Sequence, residues 1–174
     1  MSAVNFSHRN ALSRGFSLIE LLVVIAIIAI LAAIMIVNLA SVHKKGNDAK
    51  RLEDLKQIAN ELTVLNVSGV SALSGCIGAQ NNNLTTDCNG PVAVLNEYLD
   101  PKGSSECLSA SDGGPSTAPC QYTIGTATGG MRSAPAKTDN WEVCAYLETG
   151  GGPIGAPGLV SITSNSDTIT AGCN

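Results

Sequence analysis

Phe16-Ser17-Leu18-Ile19-Glu20-Leu21-Leu22-Val23-Val24-Ile25-Ala26-Ile27-Ile28-Ala29-Ile30-Leu31-Ala32-Ala33-Ile34-Met35-Ile36-Val37 decides the fold of this chain. The run is apolar except for Ser17 and one carboxylate, Glu20. A helix rises about 1.5 Å per residue, so the stretch covers roughly 33 Å, the thickness of a bilayer's hydrocarbon core. An ionisable group inside such a segment costs about 2.5–3.5 kcal/mol near the helix centre and less towards its edge. Glu20 therefore needs a partner.

Working outward towards the N-terminus, residues 1–15 carry Arg9, Arg14 and His8 and no acid. A secretory signal also opens on a basic region, but its apolar core runs for only about 7–15 residues and ends at a small-residue cleavage site. Here Ala32-Ala33 is followed by Ile34-Met35-Ile36-Val37, so the pattern does not suit cleavage behind the core. An uncleaved anchor, with its basic leader held on the cytoplasmic side, is the simplest alternative.

Arg14-Gly15-Phe16-Ser17-Leu18-Ile19-Glu20-Leu21 resembles the class III leader of type IV pilins and type II secretion pseudopilins. The resemblance implies cleavage between Gly15 and Phe16 by a membrane prepilin peptidase, and N-methylation of the new terminus at Phe16. It also implies that Glu20, fifth in the mature chain, meets the Phe16 amine of a neighbouring subunit. Unit charges about 4 Å apart at an effective dielectric near 20 gain about 4 kcal/mol, comparable to the burial penalty. Many pilins place a glycine and a proline where Ala29 and Val37 stand here, so a stiffer stem is expected.

Working outward in the other direction, His43-Lys44-Lys45 closes the apolar run, and Leu52, Leu55, Ala59 and Leu62 then recur at steps of three and four. Ile58 and Leu65 stand alongside this stripe, while Lys50, Arg51, Glu53, Asp54, Lys56 and Glu61 fall mainly on the remaining face, which reads as solvated. No proline occurs from Phe16 to Leu65, and Gly46 is the only glycine there. One helix of about 50 residues, roughly 75 Å, is expected, with Gly46-Asn47 as its weak spot. The segment from Asp48 to Ile58 extends the pilin resemblance to residues 8–65.

Composition shifts near Val67 to a region rich in Gly, Ser, Thr and Asn that holds all six cysteines and all seven prolines. The expected organisation is a leader over 1–15, a transmembrane and filament-core helix over 16–40, its amphipathic continuation over 41–66, and a globular head over 67–174. An even number of cysteines on the exported side of a membrane reads as disulfides. Cys76, Cys88, Cys107, Cys120, Cys144 and Cys173 permit fifteen pairings. Their intervals favour the sequential set, Cys76–Cys88, Cys107–Cys120 and Cys144–Cys173, each closing a short loop. In many pilins a terminal disulfide clasps the C-terminal region in the same way. Zinc is disfavoured because there is no C-x-x-C and both histidines, His8 and His43, lie outside the head.

Within the head, Pro91–Leu99 reads as a short helix. Gln121–Gly125, Asn140–Glu148, Gly158–Thr163 and Asp167–Thr170 read as strands, the last two joined at Asn165-Ser166. In the second, Trp141, Val143, Ala145 and Leu147 alternate with Glu142, Cys144, Tyr146 and Glu148, which predicts one apolar face. The expected fold class is α+β: a long helix packed on a small antiparallel sheet with disulfide-tied loops.

Without a head histidine, neither a Ser-His-Asp nor a Cys-His arrangement can form there. No phosphate-binding glycine loop and no H-E-x-x-H motif occurs. The chain is expected to be no enzyme and to need no cofactor. Asp112-Gly113-Gly114 reads as a turn rather than a calcium loop, and Asn66-Val67-Ser68 and Asn83-Leu84-Thr85 fit a glycosylation sequon. From Gln57 onward ten acids face three basic residues, a balance of −7, so nucleic acid is not an expected partner.

The resemblance implies membrane storage with the N-terminus cytoplasmic, then self-association into an extracellular or periplasmic helical filament. Partners would be the prepilin peptidase, the assembly ATPase, the inner-membrane platform and other pilins. Alternatives are a pseudopilin of a type II secretion system and, from another class, an uncleaved membrane-anchored extracytoplasmic binding domain.

Overall fold

A computed structural model describes residues 15–71, 73, 76, 84–88, 95, 97–109, 112, 116–128, 136–152 and 154–174, except for the side chains of 36–38. The basic leader, most of the expected Pro91–Leu99 helix, the Gly113-Gly114 pair and Asn83 lie outside the described residues. Helix α1 spans Leu18–Val67, and a 3-10 turn spans Thr85–Asp87. The strands are β1 (Thr123–Gly125), β2 (Glu142–Leu147), β3 (Gly158–Thr163) and β4 (Ser166–Ala171). The chain divides into two compact units, Met1–Ala40 and Ser41–Asn174.

In the first unit, α1 is apolar on every side, as a helix destined for lipid or for other helices must be. Leu18, Ile19, Leu21, Leu22, Val23, Val24 and Ile25 all stand exposed, as do Ile27, Ile28, Ile30, Leu31, Ile34, Met35 and Leu39. Its length and composition suffice to cross a membrane. Ala29 is helical, and so is the backbone at Val37, as expected where no glycine or proline interrupts the hydrogen-bond ladder.

In the second unit, α1 buries one face. Leu55, Ile58 and Leu62 are fully buried and join Tyr122, Ile124, Val143, Ala145, Leu147, Val160 and Ile162 in the main core, with Leu52, Ala59 and Leu65 packed at its edge. Fully burying an aliphatic side chain of this size contributes about 1.5–3 kcal/mol. The expected stripe therefore lies against the sheet. The helix stops where Gly69 takes φ 81°: Val70 N–H donates to Leu65 O and Gly69 N–H to Asn66 O. This pair of bonds is a Schellman motif, and a left-handed residue at that position is cheapest as glycine.

The sheet is antiparallel in the order β1-β2-β3-β4. β2 pairs with β1 through Thr123↔Cys144 and with β3 through Cys144↔Ser161. β3 and β4 form a hairpin closed at Thr163↔Ser166, with an irregularity between Ser161 and Thr163. The α+β architecture is thus the expected one.

Two sequence-based expectations need correction. The polar side of β2 is not solvated: Glu142 and Cys144 are as buried as Val143 and Ala145. Cys107, Cys120 and Cys144 form a second buried cluster, flanked by Tyr146, Leu159 and Cys173. Sulfur atoms cover this face of the sheet, which a strand's own alternation cannot reveal. The charged face of α1 is also partly inside, because Asp48, Arg51 and Asp54 are buried while Lys50, Glu53 and Lys56 are exposed. Their partners come from distant loops.

Candidate functional site

Gly15, Phe16 and Ser17 precede the helix as non-helical, exposed residues, and Phe16 is 82% exposed. The Gly15–Phe16 bond therefore sits outside the helical ladder. Leu18 is the first helical residue, so Ser17 occupies the N-cap position and Glu20 the third helical position. Glu20 Oε2 accepts the Ser17 backbone N–H at 2.9 Å. Ser17-Leu18-Ile19-Glu20 thus has the S-x-x-E spacing of a capping box, whose acid end reaches back to the N-cap amide. A carboxylate there also complements the positive end of the helix dipole. Glu20 consequently has a role within its own chain besides the one its position suggests between chains. The S-x-x-E spacing was the available signal for it.

The six cysteines pair as Cys76–Cys88, Cys107–Cys120 and Cys144–Cys173, over sequence separations of 12, 13 and 29. Loops of this size make each bridge worth about 3 kcal/mol in the chain-entropy account. The last bridge ties the C-terminus to β2. Beside it, Glu142 Oε1 accepts the Asn174 backbone N–H at 3.3 Å, while Glu142 Oε2 is buried with no hydrogen-bond partner among the described residues. Burial pushes the Glu142 carboxyl above its ordinary value, against the opposing pull of Ser161 and Asn174.

A charge cluster that the sequence did not disclose fastens the second part of α1 to the head loops. The Arg51 guanidinium is completely buried and grips Asp100 through two bonds, Nε to Oδ2 at 2.5 Å and an Nη nitrogen to Oδ1 at 3.0 Å. It also donates to Asp48 Oδ1 at 2.8 Å and to Glu148 Oε1 at 3.3 Å. Such a bidentate fork is the strong form of an arginine–carboxylate pair.

The carboxylates are satisfied in turn. Asp48 accepts the Glu148 and Thr149 amides at 2.8 and 2.7 Å and the Thr149 hydroxyl at 2.7 Å. Asp100 Oδ1 accepts the amides of Lys102 and Gly103, and Lys102 Nζ reaches Glu148 Oε2 at 2.9 Å. Burial alone would raise the Asp48 carboxyl, but the bonds from Thr149, the Glu148 amide and Arg51 outweigh it and hold the group below its usual value. Glu148 is likewise lowered: burial is outweighed by Lys102, Asn47 and Arg51. Nearby, the Tyr122 hydroxyl donates to Asp54 and the Tyr98 hydroxyl to Glu61; burial and these acids push both phenols up.

Residues 10–36 match the family model of the prokaryotic N-terminal methylation motif. No curated protein and no solved structure gives a significant match to the chain. The match covers Gly15, Phe16, the capping contact and the exposed apolar run. The motif implies processing by prepilin peptidase and assembly with other pilins, and the apolar helix behind it suggests anchoring in a membrane before assembly. The chain thus carries the class III leader of type IV pilins and pseudopilins, and with it the mark of a prepilin-processed subunit.

Proposed function

We propose that the protein is the structural subunit of a type IV pilus-like filament, cleaved between Gly15 and Phe16, N-methylated at Phe16 and polymerised through the first half of α1. The observation that carries this reading is the coincidence of the methylation motif with a helix segment whose apolar residues are exposed on all sides. Such a surface must be covered, by lipid while the subunit is stored and by other stems once it is assembled. The role is architectural rather than catalytic, and the assembly ATPase and inner-membrane platform are its expected machinery.

Glu20 supports the same reading chemically. One of its oxygens takes the Ser17 amide, and an ionised carboxylate has further lone pairs to accept an ammonium. It can keep its cap and meet a neighbour's Phe16 amine at once. Paired in this way the charge is tolerable in an apolar core; unpaired it is costly.

Intact mass and N-terminal sequencing of the membrane-extracted protein test the processing step. The expected product begins at N-methyl-Phe16, whereas an intact leader would favour an anchored binding domain. Glu20→Ala should still be cleaved but should lose filament assembly by at least tenfold, scored in sheared surface fractions. Normal filaments from that variant would overturn the assembly role. Abundance of the wild-type subunit in those fractions separates a surface pilus from a short secretion pseudopilus.

A further inference from the structure

Glu142, Cys144 and Cys173 meet at the C-terminal end of the head. One ligand-type atom from each, a carboxylate oxygen and two sulfurs, lies within 4.8 Å of the others. Glu142 and Cys144 are i and i+2 on β2, so their side chains leave the same face of the sheet. Cys173 is brought to them by the chain following β4. Glu142 and Cys144 are both 0% exposed, and Glu142 Oε2 has no hydrogen-bond partner among the described residues. A buried carboxylate oxygen left open beside two sulfurs is an unusual expense for a residue whose only task is packing.

We propose that, when the Cys144–Cys173 bond is open, Glu142, Cys144 and Cys173 form a binding site for a thiophilic divalent cation such as zinc. Tetrahedral coordination with metal–sulfur bonds of about 2.3 Å places two thiolates about 3.8 Å apart. Opening the bridge lets the two sulfurs move apart to that spacing with the Glu142 carboxylate beside them. Two thiolates and one carboxylate supply three ligands; water, admitted past the half-buried Cys173, supplies the fourth. The open form is the one in which a chain exists before its cysteines are oxidised.

The chemistry balances in both directions. A disulfide oxidant closes the bridge: the two thiolate sulfurs give up two electrons and bond to each other, the oxidant's S–S bond breaks into two thiolates that take two protons from water, and the cation leaves. A dithiol reductant reverses this, delivering two electrons and two protons to the Cys144–Cys173 bond and becoming a disulfide itself. Binding the cation then expels the two thiol protons. Metal and bridge would be alternative clasps for the same C-terminal segment, one before oxidation and one after it.

The test uses the full chain in detergent, reduced with dithiothreitol and freed of it without oxygen. Titration with cobalt should give thiolate-to-cobalt charge transfer and the absorption of a tetrahedral site at one ion per chain; the oxidised chain should give neither. Zinc should slow iodoacetamide alkylation of Cys144 and Cys173 at least tenfold, read by peptide mapping, while Cys76, Cys88, Cys107 and Cys120 react at their metal-free rates. Glu142→Gln should weaken cobalt binding about tenfold or more, and Cys144→Ser should abolish it. Circular dichroism reports whether each reduced variant keeps its head fold. The proposal is overturned by uniform alkylation with and without zinc, by protection spread equally over all six cysteines, by unchanged binding in Glu142→Gln, or by a reduced wild type whose head fails to stay folded.

Discussion

The two parts of α1 treat charge in opposite ways. From Leu18 to Ala40 the helix holds one ionisable residue, Glu20, with no opposite charge beside it among the described residues, on a surface that is apolar all round. From Asp48 to Leu62 it buries Asp48, Arg51 and Asp54 together with Leu55, Ile58 and Leu62. The second part answers its charges within the same fold, whereas the first gives its carboxylate only the Ser17 amide of its own chain. A satisfied charge network specifies one docking of helix on head, and a carboxylate without a counter-charge on an exposed apolar rod is what the proposed assembly would use.

Arg51 offers the strongest way to break the comparison. Arg51→Met keeps much of the aliphatic volume but strands Asp48, Asp100 and Glu148 together, with Lys102 the nearest remaining cation to reach Glu148. Removing one partner of a buried pair costs about 3–5 kcal/mol, and a loss of this size is expected in denaturant unfolding of the head. A loss under 1 kcal/mol would mean that the network is no more than a surface decoration. Because Arg51 lies beyond the stem, processing at Gly15 should be unaffected, which separates this variant from Glu20→Ala.

Acid should sharpen the same contrast. Asp48 and Glu148 are held below their ordinary values, near 3.9 and 4.3 in an unfolded chain. Their contribution is full above those values and is lost as pH falls through them towards the depressed folded values. Glu142, raised by burial, works the other way: its protonated form suits the fold, so stability falls as pH rises from about 4.3 through the raised value. The expected curve of unfolding free energy against pH is a dome on the mildly acidic side of neutrality. Thr149→Val, which removes the strongest of the bonds that lower Asp48, should flatten its acid limb, and Glu142→Gln its alkaline limb. A curve unchanged by either substitution would refute the assignment.

How much of this could be read beforehand follows from how local each signal is. The stem was legible because hydrophobicity, length and the Gly15–Phe16–Glu20 register are properties of adjacent residues. The β3–β4 hairpin was legible for the same reason, although its turn lies at Ser164-Asn165, one residue before the expected Asn165-Ser166, and Ser166 already pairs in β4. Arg51 was misplaced because its partners, Asp100 and Glu148, stand 49 and 97 residues away. Helical spacing says which residues share a face, not which loop will cover it. The buried second face of β2 escaped notice similarly, since Cys107 and Cys120 reach it only through the tertiary fold.

Gly46 gives the smallest effect and the finest test of where one regime of α1 yields to the other. It is helical and exposed, and a Cβ built on it meets nothing within 4 Å. Gly46→Ala therefore adds no clash and removes the flexibility that makes glycine about 1 kcal/mol worse than alanine inside a helix. Up to that much stabilisation is expected, visible as slower amide exchange around residue 46. If exchange there does not change, local opening is already limited by the Asp48 and Arg51 contacts rather than by helix propensity. The docking network would then extend its hold at least to Gly46, and the change of regime would lie nearer His43-Lys44-Lys45.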